Sequence, residues 1–185
     1  MLFAHDTEVS LQSTAALVNT VPGASHSGED ELATPGQLAG LLDLWEFTGR
    51  RDGDDAELEA IRELRGRLRR LWTATEVDVV AEVNDMLEEA HAMPQLVRHD
   101  AWDWHLHATS ADSALVSRIA VESSMAIVDL VRSGELSRLG LCAADDCDGV
   151  LVDLSRNRSK RFCDTGNCGN RVHVAAYRAR LADRD

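Results

Sequence analysis

The sequence predicts an α+β protein in two parts: a mainly helical N-terminal body with one small β-hairpin, and a C-terminal four-cysteine module ending in a helix. Three observations predict it. Apolar residues recur at helical spacing in several long stretches. One stretch near residue 100 switches to strict alternation. All four cysteines lie between positions 142 and 168.

Residues 8–18 carry Val9, Leu11, Ala15, Leu17 and Val18, an irregular helical pattern that Pro22 and Gly23 end. Residues 23–33 are small or acidic and read as a loop. Thr34, Pro35 and Gln37 then form a helix start: a capping threonine, a proline at the first position and a reciprocal glutamine. Leu38, Leu41, Leu42 and Trp45 follow at i, i+3, i+4 and i+7. Gly49 and Gly53 break that helix, and another spans residues 55–72 with Leu58, Ile61, Leu64, Leu68, Leu71 and Trp72 inward. Its other side carries Arg62, Arg65, Arg67, Arg69 and Arg70 among Glu57, Glu59 and Glu63, which predicts a solvated, ion-paired face.

Thr75 and Asp78 mark the next helix, through Val79, Val83, Met86, Leu87 and Ala90, and Pro94 stops it. Trp102, Trp104 and Leu106 then alternate with Asp103, His105 and His107. Period two means a strand, with residues 95–98 as its hairpin partner. A last long helix over residues 111–131 presents Leu115, Ile119, Met125, Ala126 and Leu130, and Ser133-Gly134 closes it.

Hydrophobic content of 44% and charged content of 28% are globular values. The net charge is −13, which argues against a generic binder of nucleic acid. The distribution of that charge points the other way for one end of the chain. Residues 1–153 hold 11 Lys or Arg against 29 Asp or Glu, a net of −18. Residues 154–181 hold seven basic residues (Arg156, Arg158, Lys160, Arg161, Arg171, Arg178 and Arg180) against Asp164 alone. An acidic body with a basic end implies two parts with different jobs. Met1 to Asp6 lacks the basic start and apolar run of a signal peptide, and no stretch reaches the ~20 apolar residues of a membrane span. A soluble cytoplasmic protein is the expectation, and there paired cysteines point to metal before disulfide.

The spacing is Cys142-x4-Cys147-x15-Cys163-x4-Cys168. Zinc takes four thiolates in a tetrahedron at ~2.3 Å, and short spacers let two neighbouring thiolates reach one ion. Val150-Leu151-Val152 and Arg161-Phe162 read as two strands joined by a polar turn at residues 155–159, the layout of a zinc ribbon or treble-clef knuckle. The rival is a pair of disulfides. A shell of four thiolates leaves no open coordination position, so the ion is structural. Its net charge of −2 calls for cations nearby, and Lys160, Arg161 and Arg171 are placed to supply them. Past Cys168, Val174, Tyr177 and Leu181 share one helical stripe, and Arg171 and Arg178 share another face. Guanidinium forks match phosphate oxygens and guanine edges, and an asparagine amide matches adenine, which nominates Asn170 as a base reader or, equally, as a helix cap.

Cys168-Gly169-Asn170-Arg171 resembles the signature of the CGNR zinc-finger family. The flanks agree: Asp153-x-Ser155-Arg156, Lys160-Arg161-Phe162-Cys163 and Tyr177-Arg178-x-Arg180, over about residues 138–181. His173 departs from the basic or small residue the pattern leads one to expect. The resemblance implies an N-terminal ABATE domain, of a kind assigned to stress-related transcription regulators. Leu17-Val18-Asn19-Thr20-Val21 and the helix after Thr34-Pro35 are similar to that domain. The expected division is residues 1–134 for the ABATE-like domain and 138–185 for the finger with its C-terminal helix.

The function expected is a DNA-binding transcription regulator holding one structural Zn2+. The nucleic-acid residues expected are Arg156, Arg158, Lys160, Asn170, Arg171, Arg178 and Arg180, with the body as sensor or dimerisation domain. The alternative is a zinc knuckle that docks on protein or RNA. Paired DNA half-sites lead to the expectation of a homodimer. Trp102 and Trp104 are candidates for the floor of a ligand pocket, though two Trp on one strand face are more often core. His99, Asp103, His105 and His107 form a weaker candidate for a second metal. No Gly-rich phosphate loop, nucleophile elbow or paired-carboxylate signature is present, so no enzyme is expected.

Overall fold

The computed structural model describes residues 3–98 and 104–182. Among these, six helices and two small antiparallel hairpins give an α+β fold. The helices are α1 (His5–Val18), α2 (Pro35–Leu44), α3 (Asp55–Arg70), α4 (Glu76–Glu89), α5 (Leu115–Arg132) and α6 (Cys168–Ala182). Strands β1 (Gln95–Val97) and β2 (His105–His107) form one hairpin, and β3 (Leu139–Leu141) and β4 (Val150–Val152) the other.

Local signals account for the helix starts. Thr34 accepts from Gln37 N–H while the Gln37 side chain accepts from Thr34 N–H, a complete capping box with Pro35 behind it. Asp54 and Thr75 cap α3 and α4 in the same way, through Glu57 and Asp78 N–H. α5 begins at Leu115, four residues later than the apolar pattern predicts, because a turn from Ser110 to Ser113 uses the intervening backbone.

α5 is the axis of the body, packed against α1, α3 and α4. Its buried Leu115, Ile119, Ala126, Ile127 and Leu130 meet Leu11 and Val18 of α1, Ile61 and Leu68 of α3, and Val79, Val83 and Met86 of α4. A hydroxyl pair, Thr14 Oγ1 to Ser123 Oγ at 2.7 Å, crosses the α1–α5 contact and keeps two buried polar groups satisfied. The arginine face of α3 is ion-paired as its sequence predicts: Arg67 bonds Glu82 and Glu89, and Arg62 bonds Glu59. Arg65 differs. It is only 8% exposed, and it binds Asp30 through two bonds of 2.7 and 2.8 Å while donating to Thr20 Oγ1.

The second hairpin differs from the predicted one. β4 pairs with Leu139–Leu141, in the register Leu139 to Val152, and not with Arg161-Phe162. The reason is burial. Val150 and Val152 belong to the main core, so β4 must lie against α1 and cannot face a polar turn. Asn19, at the end of α1, fixes it there: its amide donates to the Val150 carbonyl at 2.9 Å and accepts from the Val150 N–H at 2.7 Å. Trp72 Nε1 donates to the Leu151 carbonyl at 2.9 Å. Buried Arg138, one residue before β3, donates to the carbonyls of Asp153 and Ser155 and to Glu135. The cysteine-bearing loops are thus anchored on the helical body.

Candidate zinc centre and nucleic-acid interface

Cys142 follows β3 directly, Cys147 precedes β4, Cys163 ends the segment after it, and Cys168 opens α6. Local backbone bonds hold the first two in place. Cys142 N–H donates to the Gly149 carbonyl at 2.7 Å, Cys147 N–H to the Ala144 carbonyl at 3.2 Å, and Ala143 N–H to the Arg161 carbonyl at 2.8 Å. Two N–H groups aim at sulfur: Gly149 at Cys147 Sγ, 3.3 Å, and Cys163 at Cys142 Sγ, 3.5 Å. Gly149 has no room for a side chain, since a Cβ there would lie 3.0 Å from Cys163 Sγ and 3.1 Å from Cys147 Sγ.

The four Sγ atoms lie within 4.8 Å of one another, with Cys147 and Cys168 each 3.7 Å from Cys163. A tetrahedron with Zn–S bonds of ~2.3 Å has S–S edges of about 3.8 Å, so the thiols converge at the spacing zinc requires. Disulfide sulfurs lie ~2.05 Å apart, and all four cysteines are free. Burial pushes the Cys147 and Cys163 thiols up from their ordinary value. Burial acts the same way on Cys168, but the Arg171 guanidinium and the other three sulfurs outweigh it and hold that thiol low. Two buried and two half-buried thiols, one of them already biased toward thiolate, suit a dication, which supplies the missing positive charge. The chain holds one structural zinc site, with four sulfur ligands.

The structure sorts the basic candidates into two groups. Arg171 donates to Cys168 Sγ at 3.2 Å and to Asp146 at 2.5 Å, bracing two cysteine-bearing segments. Of the three cations placed by sequence to offset the thiolate charge, Arg171 is the one that bonds a sulfur. Lys160 bonds Asp164 at 2.6 Å, and Arg161 lies over the Phe162 ring. Arg158 is paired with Glu135 through bonds of 2.7 and 2.8 Å. By contrast, Arg156, Arg178 and Arg180 are exposed and make no ion pair among the described residues. Asn170 is exposed inside the first turn of α6, so it does not occupy the cap position.

Two residues of this module have roles the sequence did not reveal. Gly169 makes room for Phe162, whose Cδ2 would lie 3.2 Å from a Cβ. His173 meets the same Phe162 ring edge-on, with centroids 6.1 Å apart. Beyond Gly169, α6 is exposed along its length; Tyr177 is 57% exposed, and Val174 and Leu181 share its stripe.

In the body, Trp102, His99 and Asp103 fall outside the described residues. Trp104 lies 64% exposed just before β2 and does not line the main cavity. His105 and His107 do line it, with their Nε2 atoms 2.9 Å apart. The four cysteines are the only metal-capable cluster among the described residues. No helix among them is long and apolar enough to cross a membrane.

Two family models match the chain. One, described as "ABATE: Putative stress-induced transcription regulator", matches residues 14–145. The other, described as the CGNR zinc finger, matches residues 138–181 and so includes all four cysteines. Comparison with curated proteins gives no match. The first model spans well over half of the chain, from the middle of α1 through β3, and the second takes in the metal site and α6: the chain belongs to the ABATE family and carries a CGNR zinc finger.

Proposed function

We propose that the protein is a DNA-binding transcription regulator in which the zinc finger presents α6 and the loop around Arg156 to a duplex. The observation that carries this reading is a pair of exposed basic sites in the module that make no ion pair among the described residues. Arg156 sits in the loop after β4, and Arg178 and Arg180 sit on a helix that projects into solvent. Zinc clamps the start of that helix through Cys168, so its direction is set by the metal site. Arg158, Lys160 and Arg171 have partners within the chain, and their nearer task is to hold the loop and the ion. Asn170, exposed in the first turn of α6, is the candidate base reader.

In this reading residues 1–134 form a sensor or dimerisation domain and residues 138–185 the reader. The acidic body repels phosphate, which confines DNA to the basic end. A homodimer would read paired half-sites.

One observation favours a second reading, docking on a protein. Val174, Tyr177 and Leu181 make an exposed apolar stripe on the same helix. Salt separates the two. Fluorescence anisotropy of labelled duplex DNA across a salt series should show affinity falling steeply, by a slope of about −0.9 for each phosphate neutralised. Binding that is absent or flat with salt leaves the docking reading in its place.

A further inference from the structure

The body contains a cavity of about 500 Å3 between α1, the residues after α2, β2 and α5. That is the size of a small-molecule site. Trp45, Phe47, Leu106, Met125 and Val128 give it largely apolar walls. Its polar groups are unevenly matched. Four carboxyl side chains line it (Asp6, Glu46, Glu122 and Asp129) against two guanidinium groups, Arg118 and Arg132, and two imidazoles, His105 and His107. Arg118 is committed elsewhere, since it donates to the carbonyls of Thr48, Arg50 and Ser113. Thr7 occupies Asp129 with a bond of 2.6 Å. Glu122 receives no hydrogen bond among the described residues, although it lies one turn along α5 from Arg118. The indole Nε1 of Trp45 is buried without an acceptor among the described residues.

The Glu122 carboxyl is half-buried and opens on the cavity, where a charged group is poorly solvated and is usually matched by protein or by ligand. Burial raises the Glu122 carboxyl to about 7, with Arg118 opposing the shift. A cation within about 4–6 Å would favour its ionised form. Two aromatic side chains, Trp45 and Phe47, line the cavity, and organic cations favour aromatic surroundings. An anion would instead meet the carboxyl excess.

We propose that this cavity binds a small organic cation with an apolar or aromatic body, its charged head paired with Glu122. None of its lining residues belongs to the cysteine-bearing segment, and the proposal does not rest on DNA binding by α6.

The test uses the full zinc-loaded chain and three probes that share one ring system: 1-naphthylmethylammonium, neutral 1-naphthylmethanol and anionic 1-naphthoate. Calorimetric titration near neutral pH should find the cation bound at least about tenfold more tightly than either other probe, a difference of about 1.4 kcal/mol. Glu122→Gln should remove that preference while circular dichroism stays that of the parent. Met125→Trp, which fills the cavity without altering charge, should abolish binding of all three. Equal affinity for the three probes, no binding by any, or a cation preference that survives Glu122→Gln would overturn the proposal.

Discussion

Each side chain of the Cys-Gly-Asn-Arg motif has a different physical task. Cys168 is a metal ligand, Gly169 yields space to Phe162, Asn170 faces solvent, and Arg171 ties a sulfur to Asp146. Replacing Cys163 by Ser removes a ligand that is 3.7 Å from two other sulfurs, so metal analysis should find zinc lost and circular dichroism should show α6 unwound. Glu122 gives a second expectation at this scale. Its carboxyl titrates near 7 when folded and near 4.5 otherwise, because burial disfavours the charged form. The neutral form therefore stabilises the fold fully below pH 4.5, and this contribution is lost as pH rises to about 7. Glu122→Gln stays neutral, so it should match the parent near pH 4.5 and exceed it above pH 7 by up to about 3 kcal/mol in chemical denaturation. Equal stability of the two proteins at both pH values would mean that the carboxyl is not desolvated.

Among the elements, β4 shows best what short-range pattern conveys. Helices α2, α3 and α4 were legible because caps and periodicity are local signals over ten or more residues. The cysteine cluster was legible for a similar reason: a metal fixes the spacing of its ligands in the chain. The partner of Val150–Val152 was not legible. A three-residue strand has too few positions for a period, and Leu139-Gly140-Leu141 has a glycine at its centre. What decides the pairing is distant, namely the Asn19 amide that reproduces a strand's hydrogen bonds at Val150. Asn19→Ala would leave a buried N–H and a buried carbonyl without partners, and should cost about 2 kcal/mol in denaturant unfolding. A loss near zero would show that β4 is held by apolar packing alone. The burial of Arg65 escaped the sequence for the same reason: its partner Asp30 lies in a loop on which periodicity is silent. The Asp30 carboxyl is held near 2, chiefly by the Arg65 hydrogen bonds. That pair stabilises the fold above pH 3.8, and its contribution should disappear as pH falls toward 2. In Asp30→Asn the corresponding part of the acid transition should be missing.

At the scale of the whole molecule, charge separates the parts while packing joins them. The acidic body and basic end were visible in composition, but the internal pairing of Arg158 and Arg171 was not, because it depends on Glu135 and Asp146, which only folding brings near; Lys160 pairs locally, with Asp164. That pairing narrows the surface proposed for DNA to Arg156, Arg178, Arg180 and Asn170. Arg178 is the sharpest probe, since it is exposed and bonds neither the metal site nor the core. The decisive measurement is the affinity of parent and Arg178→Ala proteins for duplex DNA between about 50 and 200 mM salt, each checked for full zinc content. If Arg178 neutralises a phosphate, the variant binds every sequence more weakly and its salt slope is lower by about one unit. Identical affinity and identical slope at every salt concentration would contradict the account.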